Sequence, residues 1–278
     1  EGGKNTKGRA MQNLINIEQD DSVKAFLVTQ DLKDEAYINS HYVIMATKKG
    51  QVKKTSLEQY SRPRTNGINA ITIKEGDELL EAKLTTGDSQ VMLALKSGKS
   101  IRFEEAKTRP MGRTASGVRG ITLQHENDEV IGMVAVNDME SNILVVSEKG
   151  YGKRSKLEDY RVTNRGGKGV KTLNISEKTG DLVAIKNVDD SNDLMIINKS
   201  GLTIRMAVED LRVMGRATQG VRLINIKDDD SIAAVAKVMR EEGDAEADSE
   251  DVNPDGVNVD GETENGTEIE NDTNDNQE

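Results

Sequence analysis

A pattern that recurs about every 50 residues constrains the fold of this chain more than any other feature. Four times, a short apolar run is followed by a polar turn and a glycine, and these glycines are 48, 52 and 51 residues apart, at Gly50, Gly98, Gly150 and Gly201. A second element, a glycine that opens an apolar-x-x-apolar stretch, recurs at spacings of 50, 52 and 51 residues, at Gly67, Gly117, Gly169 and Gly220. A single repeat of this length cannot bury both of its faces, so the repeats must pack against one another.

Each repeat is predicted to contain four short β-strands. In the third repeat, the runs ILVVS, YGKRS, GVKTLNI and DLVAIKNV alternate with turn residues, are rich in β-branched residues and lack helical periodicity. Four strands in about 50 residues are typical of a propeller blade. We therefore predict an all-β, propeller-like fold with blades at residues 41–89, 90–141, 142–191 and 192–240. Gly8 opens the second element of an earlier repeat, so residues 1–40 are predicted to form half a blade.

Charge is distributed unevenly along the chain. The 278 residues include 38 Lys and Arg and 49 Asp and Glu, which gives a net charge of −11. Sixteen of the acidic residues lie in residues 241–278, which contain no Lys or Arg, so residues 1–240 carry a net charge of +5. The final segment has too few apolar residues to offset the entropy cost of ordering, and it is predicted to be a disordered acidic tail. Such a tail would either keep the protein soluble or compete with a polyanion for the basic body.

Composition argues against most catalytic, metal-binding and membrane functions. The absence of Cys excludes a disulfide scaffold, thiolate catalysis and Cys-ligated zinc. No apolar run approaches the roughly 18 residues that a membrane-spanning helix needs. The two histidines, His41 and His125, are far apart in the sequence and suggest neither a metal site nor a catalytic triad. Residues 251–262 match the EF-hand spacing, but Pro254 interrupts the loop and no amphipathic helices flank it, so calcium binding is not expected.

Basic residues recur in phase with the repeat. One group follows each turn glycine, a second lies in a loop before each glycine of the second element, and a third follows that glycine. Equivalent positions of a propeller lie at the same height around its axis, so these side chains are expected to form a belt on the rim. A curved belt of positive charge suits the backbone of bent duplex DNA, and neighbouring glycines allow backbone N–H groups to approach phosphates. The candidate DNA-binding residues are Lys53, Lys54, Arg62, Arg64, Lys99, Arg102, Arg109, Arg113, Arg119, Lys153, Arg154, Arg161, Arg165, Gly166, Gly167, Lys168, Gly169, Lys171, Arg205, Arg212, Arg216 and Arg222.

The basic residues have two other possible roles. Single Lys and Arg residues on exposed strands commonly protect sheet edges from pairing. A propeller could also use its positive charge to dock an acidic protein, in which case the charge should form a patch on one flat face. Repetition of the cations in four loops favours DNA. The sequence contains no recognition helix, zinc finger or basic zipper, and aromatic residues make up 3% of it, so we expect phosphate contacts with little base recognition.

The segment Asn164–Gly169, NRGGKG, resembles the box QRRGGKG of the C-terminal domain of the A subunit of bacterial DNA gyrase. Gly150–Leu173, Arg109–Leu123 and Gly215–Ile224 are also similar to repeats of that domain, and the resemblance covers about residues 1–240 in order. It implies a β-pinwheel, a propeller relative whose neighbouring blades exchange strands. It also implies that the segment wraps duplex DNA for a type II topoisomerase that introduces negative supercoils in an ATP-dependent manner.

The resemblance carries further expectations about partners and location. This segment would contain no catalytic residue and no cofactor, because ATP and Mg²⁺ would be used by other parts of the holoenzyme. Its partners would be duplex DNA, the cleavage domain that lies upstream in the same polypeptide, and the gyrase B subunit in an A2B2 holoenzyme. It would be located in the bacterial cytoplasm, associated with the nucleoid, without a membrane partner.

The match departs from the family pattern in its principal box. That box lies in the family's first blade, which would precede Glu1 here, so the chain is interpreted as a fragment without that blade. In the internal copy, Thr163 and Asn164 replace the Gln and the first Arg of the box. The related C-terminal domain of the topoisomerase IV A subunit, which has more degenerate repeats, is the alternative assignment.

Overall fold

The computed structural model describes Lys7 and residues 21–64, 66–227 and 230–240. Over these residues the secondary structure is almost entirely β, with one short helix, α1 (Glu35–Ser40), and a few 3-10 turns. The strands are β1 (Tyr42–Thr47), β2 (Gln51–Ser56), β3 (Leu79–Thr85), β4 (Gln90–Leu95), β5 (Lys99–Glu104), β6 (Val118–Arg119), β7 (Val130–Val136), β8 (Asn142–Ser147), β9 (Tyr151–Lys156), β10 (Val170–Lys171), β11 (Leu182–Val188), β12 (Asn192–Asn198), β13 (Thr203–Ala207), β14 (Val221–Arg222) and β15 (Ile232–Met239).

The strands build four antiparallel sheets by one rule. In each repeat the first two strands form a hairpin, and the last strand pairs with the first. The remaining short strand leaves its own repeat and pairs with the second hairpin strand of the preceding one. The resulting strand orders are β3-β1-β2-β6, β7-β4-β5-β10, β11-β8-β9-β14 and β15-β12-β13. The predicted all-β fold is confirmed, and we call β6, β10 and β14 the crossing strands and β3, β7, β11 and β15 the inner strands.

A glycine at each of the first three hairpin turns allows the next repeat to dock onto the hairpin. Gly98 has φ 79°, in the left-handed region that favours glycine. A Cβ on Gly98 would lie 2.8 Å from the carbonyl oxygen of Leu173, because the following repeat passes directly over the turn. The Gly98 carbonyl accepts hydrogen bonds from the N–H groups of Thr172 and Leu173. The turn glycine is therefore required both by the hairpin and by the strand exchange.

The core consists of apolar layers between neighbouring sheets. Alternate residues of each hairpin point to opposite faces, so that Leu93 packs toward the first sheet and Met92 toward the third. A third layer, which includes Leu144 and Ile196, lies between the last two sheets. The inner strands contact one another in order, β3 with β7, β7 with β11 and β11 with β15. The inner strands therefore surround the centre, and the crossing strands, at the opposite edges of their sheets, lie on the outer rim.

The face of the first sheet that points away from the second is covered by the segment before β1. The Asp34 side chain caps α1 by accepting hydrogen bonds from two backbone N–H groups, and Ile38 of the helix is buried. Ile38, Val43 and Leu57 belong to one buried cluster, and Leu27 packs against it. This segment takes the place that a neighbouring blade occupies at the other junctions.

Two predictions about the beginning of the chain require correction. The first repeat has three strands instead of four, because residues 66–78, where the remaining strand was expected, form none. A crossing strand forms by pairing with a preceding hairpin, and the described residues contain no hairpin before β1. The half blade predicted for residues 1–40 is described only at Lys7 and 21–40, where irregular backbone and α1 replace the expected strands. Gly8 and the predicted disordered tail, 241–278, lie outside the described residues.

Candidate nucleic-acid interface

Three basic residues occupy the same position on the three crossing strands. Arg119, Lys171 and Arg222 are the last residues of β6, β10 and β14, and all three side chains are exposed. Each crossing strand is the outermost strand of its sheet. Strand exchange therefore places one cation on the outer rim at each junction between repeats, as the sequence pattern predicted for this group.

An arginine-containing loop precedes each crossing strand and lies along the preceding repeat. These arginine loops are residues 109–117, 161–169 and 212–220, and each makes a parallel bridge to a second hairpin strand. Each loop ends where it crosses directly over a backbone carbonyl. A Cβ on Gly169, which has φ 72°, would lie 2.5 Å from the carbonyl oxygen of Ser100. Gly169 therefore has a structural role in the loop.

One half-buried arginine in each loop ties the loop to the preceding repeat. The Arg165 guanidinium donates through Nε to the Lys107 carbonyl at 3.0 Å and through Nη1 to the Arg119 carbonyl at 3.1 Å. Arg216 makes the two equivalent hydrogen bonds, and Arg113 makes one of them. In the part of the chain that the structure describes, Nη2 of Arg165 and Arg216 has no partner. These arginines can therefore contact a phosphate while they hold the loop in place.

The remaining candidate cations differ in solvent exposure and in their hydrogen-bond partners. Arg62, Arg64, Arg109, Arg161, Lys168 and Arg212 are exposed. Arg205 is also exposed, on β13, but its Nε donates to the Asp193 carboxylate at 2.7 Å. Lys99 is half-buried and its Nζ donates to Gln124 Oε1 at 2.5 Å. A phosphate would have to replace these protein partners at Arg205 and Lys99.

Five of the predicted DNA contacts lie in the interior instead. Their residues are each at most 8% exposed, and they are Lys53, Lys54, Arg102, Lys153 and Arg154. Lys153 Nζ donates to the carbonyls of Gly215, Arg216 and Thr218 at 2.8, 2.5 and 2.9 Å, so it holds the arginine loop 212–220 from beneath. Lys53 Nζ donates in the same way to the Arg113 carbonyl in the loop 109–117.

The remaining buried cations bind the turn that follows the hairpin of the next repeat. Arg102 Nη1 donates to the carbonyls of Leu157 and Tyr160 at 2.6 and 2.9 Å. Lys54 lies 3.6 Å from the carboxylate of Glu105, and both side chains are buried. A phosphate cannot reach these five residues while the loops and turns are in place. We therefore correct the prediction for them and assign them to the contacts between repeats.

Burial lowers the pKa values of the two lysines beneath the loops. Burial lowers the pKa of Lys53 from 10.5 to about 8, and the positive charge of Arg113 lowers it further. Burial likewise lowers the pKa of Lys153 to about 8, with a further contribution from Arg216. The lysines are thus desolvated cations that depend on the loop carbonyls for their hydrogen bonds.

The glycine-rich box, residues 164–169, is fastened to the preceding repeat. The Gly166 N–H donates to the Gly120 carbonyl at 2.6 Å, so this amide is not available to a phosphate. The N–H groups of Gly167 and Lys168 have no acceptor within the described ranges, and both residues are exposed. They line a cavity of about 200 Å³ together with Asn164 and Arg161. The box therefore offers two backbone donors and two cationic side chains to an anion.

Sequence reasoning did not identify Tyr151 as part of this surface. Arg222 Nη2 donates to the Tyr151 hydroxyl at 3.0 Å, and the guanidinium carbon lies 5.4 Å from the ring centroid. The hydrogen bond from Arg222 lowers the pKa of Tyr151. Both residues line a rim cavity of about 240 Å³ with Lys149 and Lys178. The sequence did contain a sign of this arrangement, since Tyr151 is the only aromatic residue that directly follows a turn glycine.

In residues 21–64, 66–227 and 230–240, no group of three or more His, Cys, Asp or Glu side chains could hold a metal ion. No helix in the same ranges is long and apolar enough to cross a membrane. The EF-hand-like spacing at 251–262 lies outside them.

Known proteins resemble this chain in sequence along most of its length. The family model described as "DNA gyrase C-terminal domain, beta-propeller" matches residues 41–86, 91–137, 141–189 and 192–239. The A subunit of DNA gyrase from Staphylococcus aureus (strain MRSA252) is 43% identical over 247 residues, which are 88% of this chain and 27% of the relative. The A subunit of DNA gyrase from Staphylococcus epidermidis (strain ATCC 12228) is 43% identical over 238 residues, 85% of this chain and 26% of the relative. The chain thus spans about a quarter of the length of these relatives.

Solved structures share the fold. The C-terminal domain of DNA topoisomerase IV has a TM-score of 0.76 at 23% identity, over 84% of this chain and 71% of that chain. The DNA gyrase A C-terminal domain has a TM-score of 0.73 at 22% identity, over 84% of this chain and 76% of that chain. Because the four family-model matches together cover more than half of its residues, the chain belongs to the DNA gyrase C-terminal domain family.

Proposed function

We propose that the outer rim of this domain binds the backbone of duplex DNA. The observation that carries the proposal is the placement of Arg119, Lys171 and Arg222 on the outermost strand of three successive sheets. Exposed cations of the arginine loops, such as Arg161 and Lys168, lie between them along the chain. Fixed cations that neutralise phosphates release counterions from DNA, which favours binding without regard to base sequence.

The arrangement also favours a bent DNA over a straight one. The sheets follow one another around the inner strands, so a duplex that contacts all three crossing strands must follow the curvature of the rim. Bending 20–30 base pairs by 40–90° costs on the order of 1–6 kcal/mol, which additional phosphate contacts can offset. The only helix in the described residues, α1, has six residues and carries no Lys or Arg, so we expect no reading of the major groove.

We further propose that the domain supplies DNA wrapping to a gyrase, which introduces negative supercoils in an ATP-dependent manner. The family membership and the relatives named as the A subunit of DNA gyrase support this assignment. The domain would contribute no catalytic residue of its own and no cofactor. ATP and Mg²⁺ would be used by other parts of the holoenzyme. The protein partners would be the upstream cleavage domain of the same polypeptide and the gyrase B subunit in an A2B2 assembly, in the bacterial cytoplasm at the nucleoid.

The experiment that tests DNA binding compares two triple variants of residues 1–278. Arg119→Ala/Lys171→Ala/Arg222→Ala removes the three rim cations. Lys48→Ala/Lys96→Ala/Lys199→Ala removes the same charge from hairpin-turn residues. Affinity for a fluorescent duplex is measured by anisotropy between about 50 and 200 mM salt, the range over which phosphate contacts weaken strongly.

Each lost phosphate contact should flatten the plot of log K against log salt by about 0.9, so the rim variant should lose roughly 2–3 units of slope. The hairpin-turn variant should retain the slope of the wild-type chain. Equal slopes for the two variants, or a wild-type slope near zero, would show that the rim is not the DNA-binding surface.

A further inference from the structure

Lys186 is a cation without a partner at the centre of the molecule. It lies on the inner strand β11, its side chain is half-buried, and its ammonium group makes no hydrogen bond or ion pair with any described residue. Removing an ammonium group from water is unfavourable unless an anion or several acceptors replace the solvent. No described residue supplies such an anion or acceptor in direct contact with Lys186.

A cavity of about 440 Å³ surrounds this side chain. It is lined by all four inner strands: β3 contributes Lys83, β7 contributes Val134, and β15 contributes Ala236 and Lys237, in addition to Lys186. The inner strands thus direct three lysines to one space, and no acidic residue is among the described residues that line it. This space is on the opposite side of each sheet from the crossing strands.

The charge balance in the cavity is positive. Lys83 is the one lysine with an ion pair there among the described residues, to Glu81 at 2.7 Å, and Glu81 also accepts a hydrogen bond from the Met133 N–H at 3.0 Å. Burial lowers the pKa of Lys186, and Lys83 lowers it further while Glu81 opposes the change. One carboxylate therefore serves Lys83 and the β7 backbone by direct contact, whereas it acts on Lys186 only through space and leaves that ammonium group without a hydrogen bond or ion pair among the described residues.

A second cavity between the inner strands provides an internal comparison. It has a volume of about 340 Å³ and is also lined by three lysines, Lys48, Lys96 and Lys199. There, however, three carboxylates accompany them, from Glu129, Glu148 and Asp181. The excess of positive charge is thus confined to the cavity around Lys186 and is not a general property of the centre.

We propose that the cavity around Lys186 binds a small phosphate-bearing anion, held by Lys83, Lys186 and Lys237. Each ammonium group can donate up to three hydrogen bonds, and phosphate oxygens accept several at once. The volume is ample for phosphate or pyrophosphate with water, whereas a DNA duplex is too wide to enter. The site is therefore independent of DNA binding at the rim.

The test uses the full chain and titrates inorganic phosphate, pyrophosphate and a nucleoside triphosphate at constant ionic strength. Binding is measured by calorimetry, and lysine environments are followed by NMR. Lys186→Met removes the central charge at nearly constant length. Lys237→Met is the second variant, because its exposed position makes misfolding less of a concern. Lys199→Met, in the other cavity, is the matched control.

We expect one saturable site in the wild-type chain and in Lys199→Met, and a loss of about tenfold or more in affinity in both other variants, as for a lost charge-assisted hydrogen bond. The three ligands distinguish a free phosphate site from one that recognises phosphate esters. If all variants bind equally, or if Arg119→Ala/Lys171→Ala abolishes binding instead, the anions bind at the rim or nonspecifically and the proposal is wrong.

Discussion

At the scale of single residues, neighbouring cations of one strand act on different parts of the next repeat. Lys153 and Arg154 are adjacent on β9, so their side chains leave the strand on opposite faces. Lys153 donates to the carbonyls of the arginine loop, whereas Arg154 donates to the Leu211 carbonyl in the turn before it and to Asp190. Ile101 takes the place of Lys153 in the second repeat, so the arginine loop 161–169, which contains the glycine-rich box and is called the box loop below, has an isoleucine and not a lysine beneath it.

The hydrogen bonds of Lys153 should contribute measurably to stability. In Lys153→Met, the carbonyls of Gly215, Arg216 and Thr218 lose a charged donor, while the apolar part of the side chain remains. We expect the free energy of unfolding in urea to fall by about 1–3 kcal/mol. Lys168→Met, at an exposed position, is the control and should change it by less than about 0.5 kcal/mol. Equal effects would show that the loop does not depend on this donor.

The same lysine predicts a pH dependence with a definite sign. Its pKa is about 8 in the folded protein and 10.5 without burial. Between these values the unfolded chain holds a proton that the folded chain has lost, so the Lys153 contribution to stability increases with pH. The difference in unfolding free energy between the wild-type chain and Lys153→Met should therefore grow from pH 8 to pH 10. A difference that is constant or shrinks in urea titrations at these pH values would contradict the lowered pKa.

At the scale of elements, the crossing strand depends on a glycine that permits close backbone contact. Gly169 and Gly67 occupy equivalent positions and have φ values of 72° and 74°. A Cβ on Gly169 would meet the Ser100 carbonyl at 2.5 Å, whereas a Cβ on Gly67 would meet no atom within 4 Å. Substituting Gly67 measures the free-energy cost of a positive φ alone, whereas substituting Gly169 adds the cost of the steric clash with Ser100.

Substitution of these two glycines should therefore have unequal effects. Gly67→Ala should lower the free energy of unfolding by about 1 kcal/mol, the cost of a positive φ for a residue with a side chain. Gly169→Ala should lower it by roughly 2–4 kcal/mol more, because β5 and the loop must separate. Thermal or urea unfolding measures both. Similar losses in the two variants would mean that the loop does not lie against Ser100.

The backbone amide of Gly167 in the box loop should exchange its hydrogen with solvent faster than the equivalent amides of the other two arginine loops. The Ala115 and Thr218 N–H groups donate within their loops to the carbonyls of Gly112 and Gly215, at 3.1 and 3.2 Å. The equivalent N–H of Gly167 has no acceptor among the described residues. Hydrogen exchange followed by NMR should therefore be faster at Gly167 than at Ala115 and Thr218, after correction for sequence effects on the intrinsic rate. Equal protection at the three positions would indicate an acceptor for Gly167.

Local patterns in the sequence predicted the hairpins, but not which cations would be exposed. Apolar runs such as Val91–Leu95 and the turn glycines are local features, and they predicted β4 and its turn correctly. Whether a cation in phase with the repeat lies on the rim or under a loop depends on the face of its strand. Lys53 and Lys171 recur with the same period, yet the first is buried and the second is exposed. Contacts between repeats have the same period as surface positions, so periodicity alone could not separate them.

At the scale of the whole molecule, strand exchange connects stability to the placement of charge. Each crossing strand completes the sheet of the preceding repeat and at the same time carries a cation to the outer edge. The buried cations Lys53, Arg102, Lys153 and Arg154 fasten the loops and turns of the following repeat. The geometry of the rim is therefore fixed by interactions beneath it, so that the cations are held along a curve before any ligand binds.

A rim that is already curved should bend DNA and not merely bind it. A duplex of about 40 base pairs with a fluorophore at each end should show increased energy transfer when residues 1–278 bind, because the contour is well below the roughly 150-base-pair persistence length and is nearly straight when free. Arg119→Ala/Arg222→Ala removes the outer two of the three crossing-strand cations and leaves Lys171. At protein concentrations that saturate the DNA, this variant should produce less energy transfer than the wild-type chain, since contacts at one junction cannot oppose the bending cost. Lys48→Ala/Lys199→Ala is the control with equal charge and should bend the DNA as the wild-type chain does. If the wild-type chain saturates the duplex without a change in energy transfer, the rim binds straight DNA and the wrapping proposal is wrong.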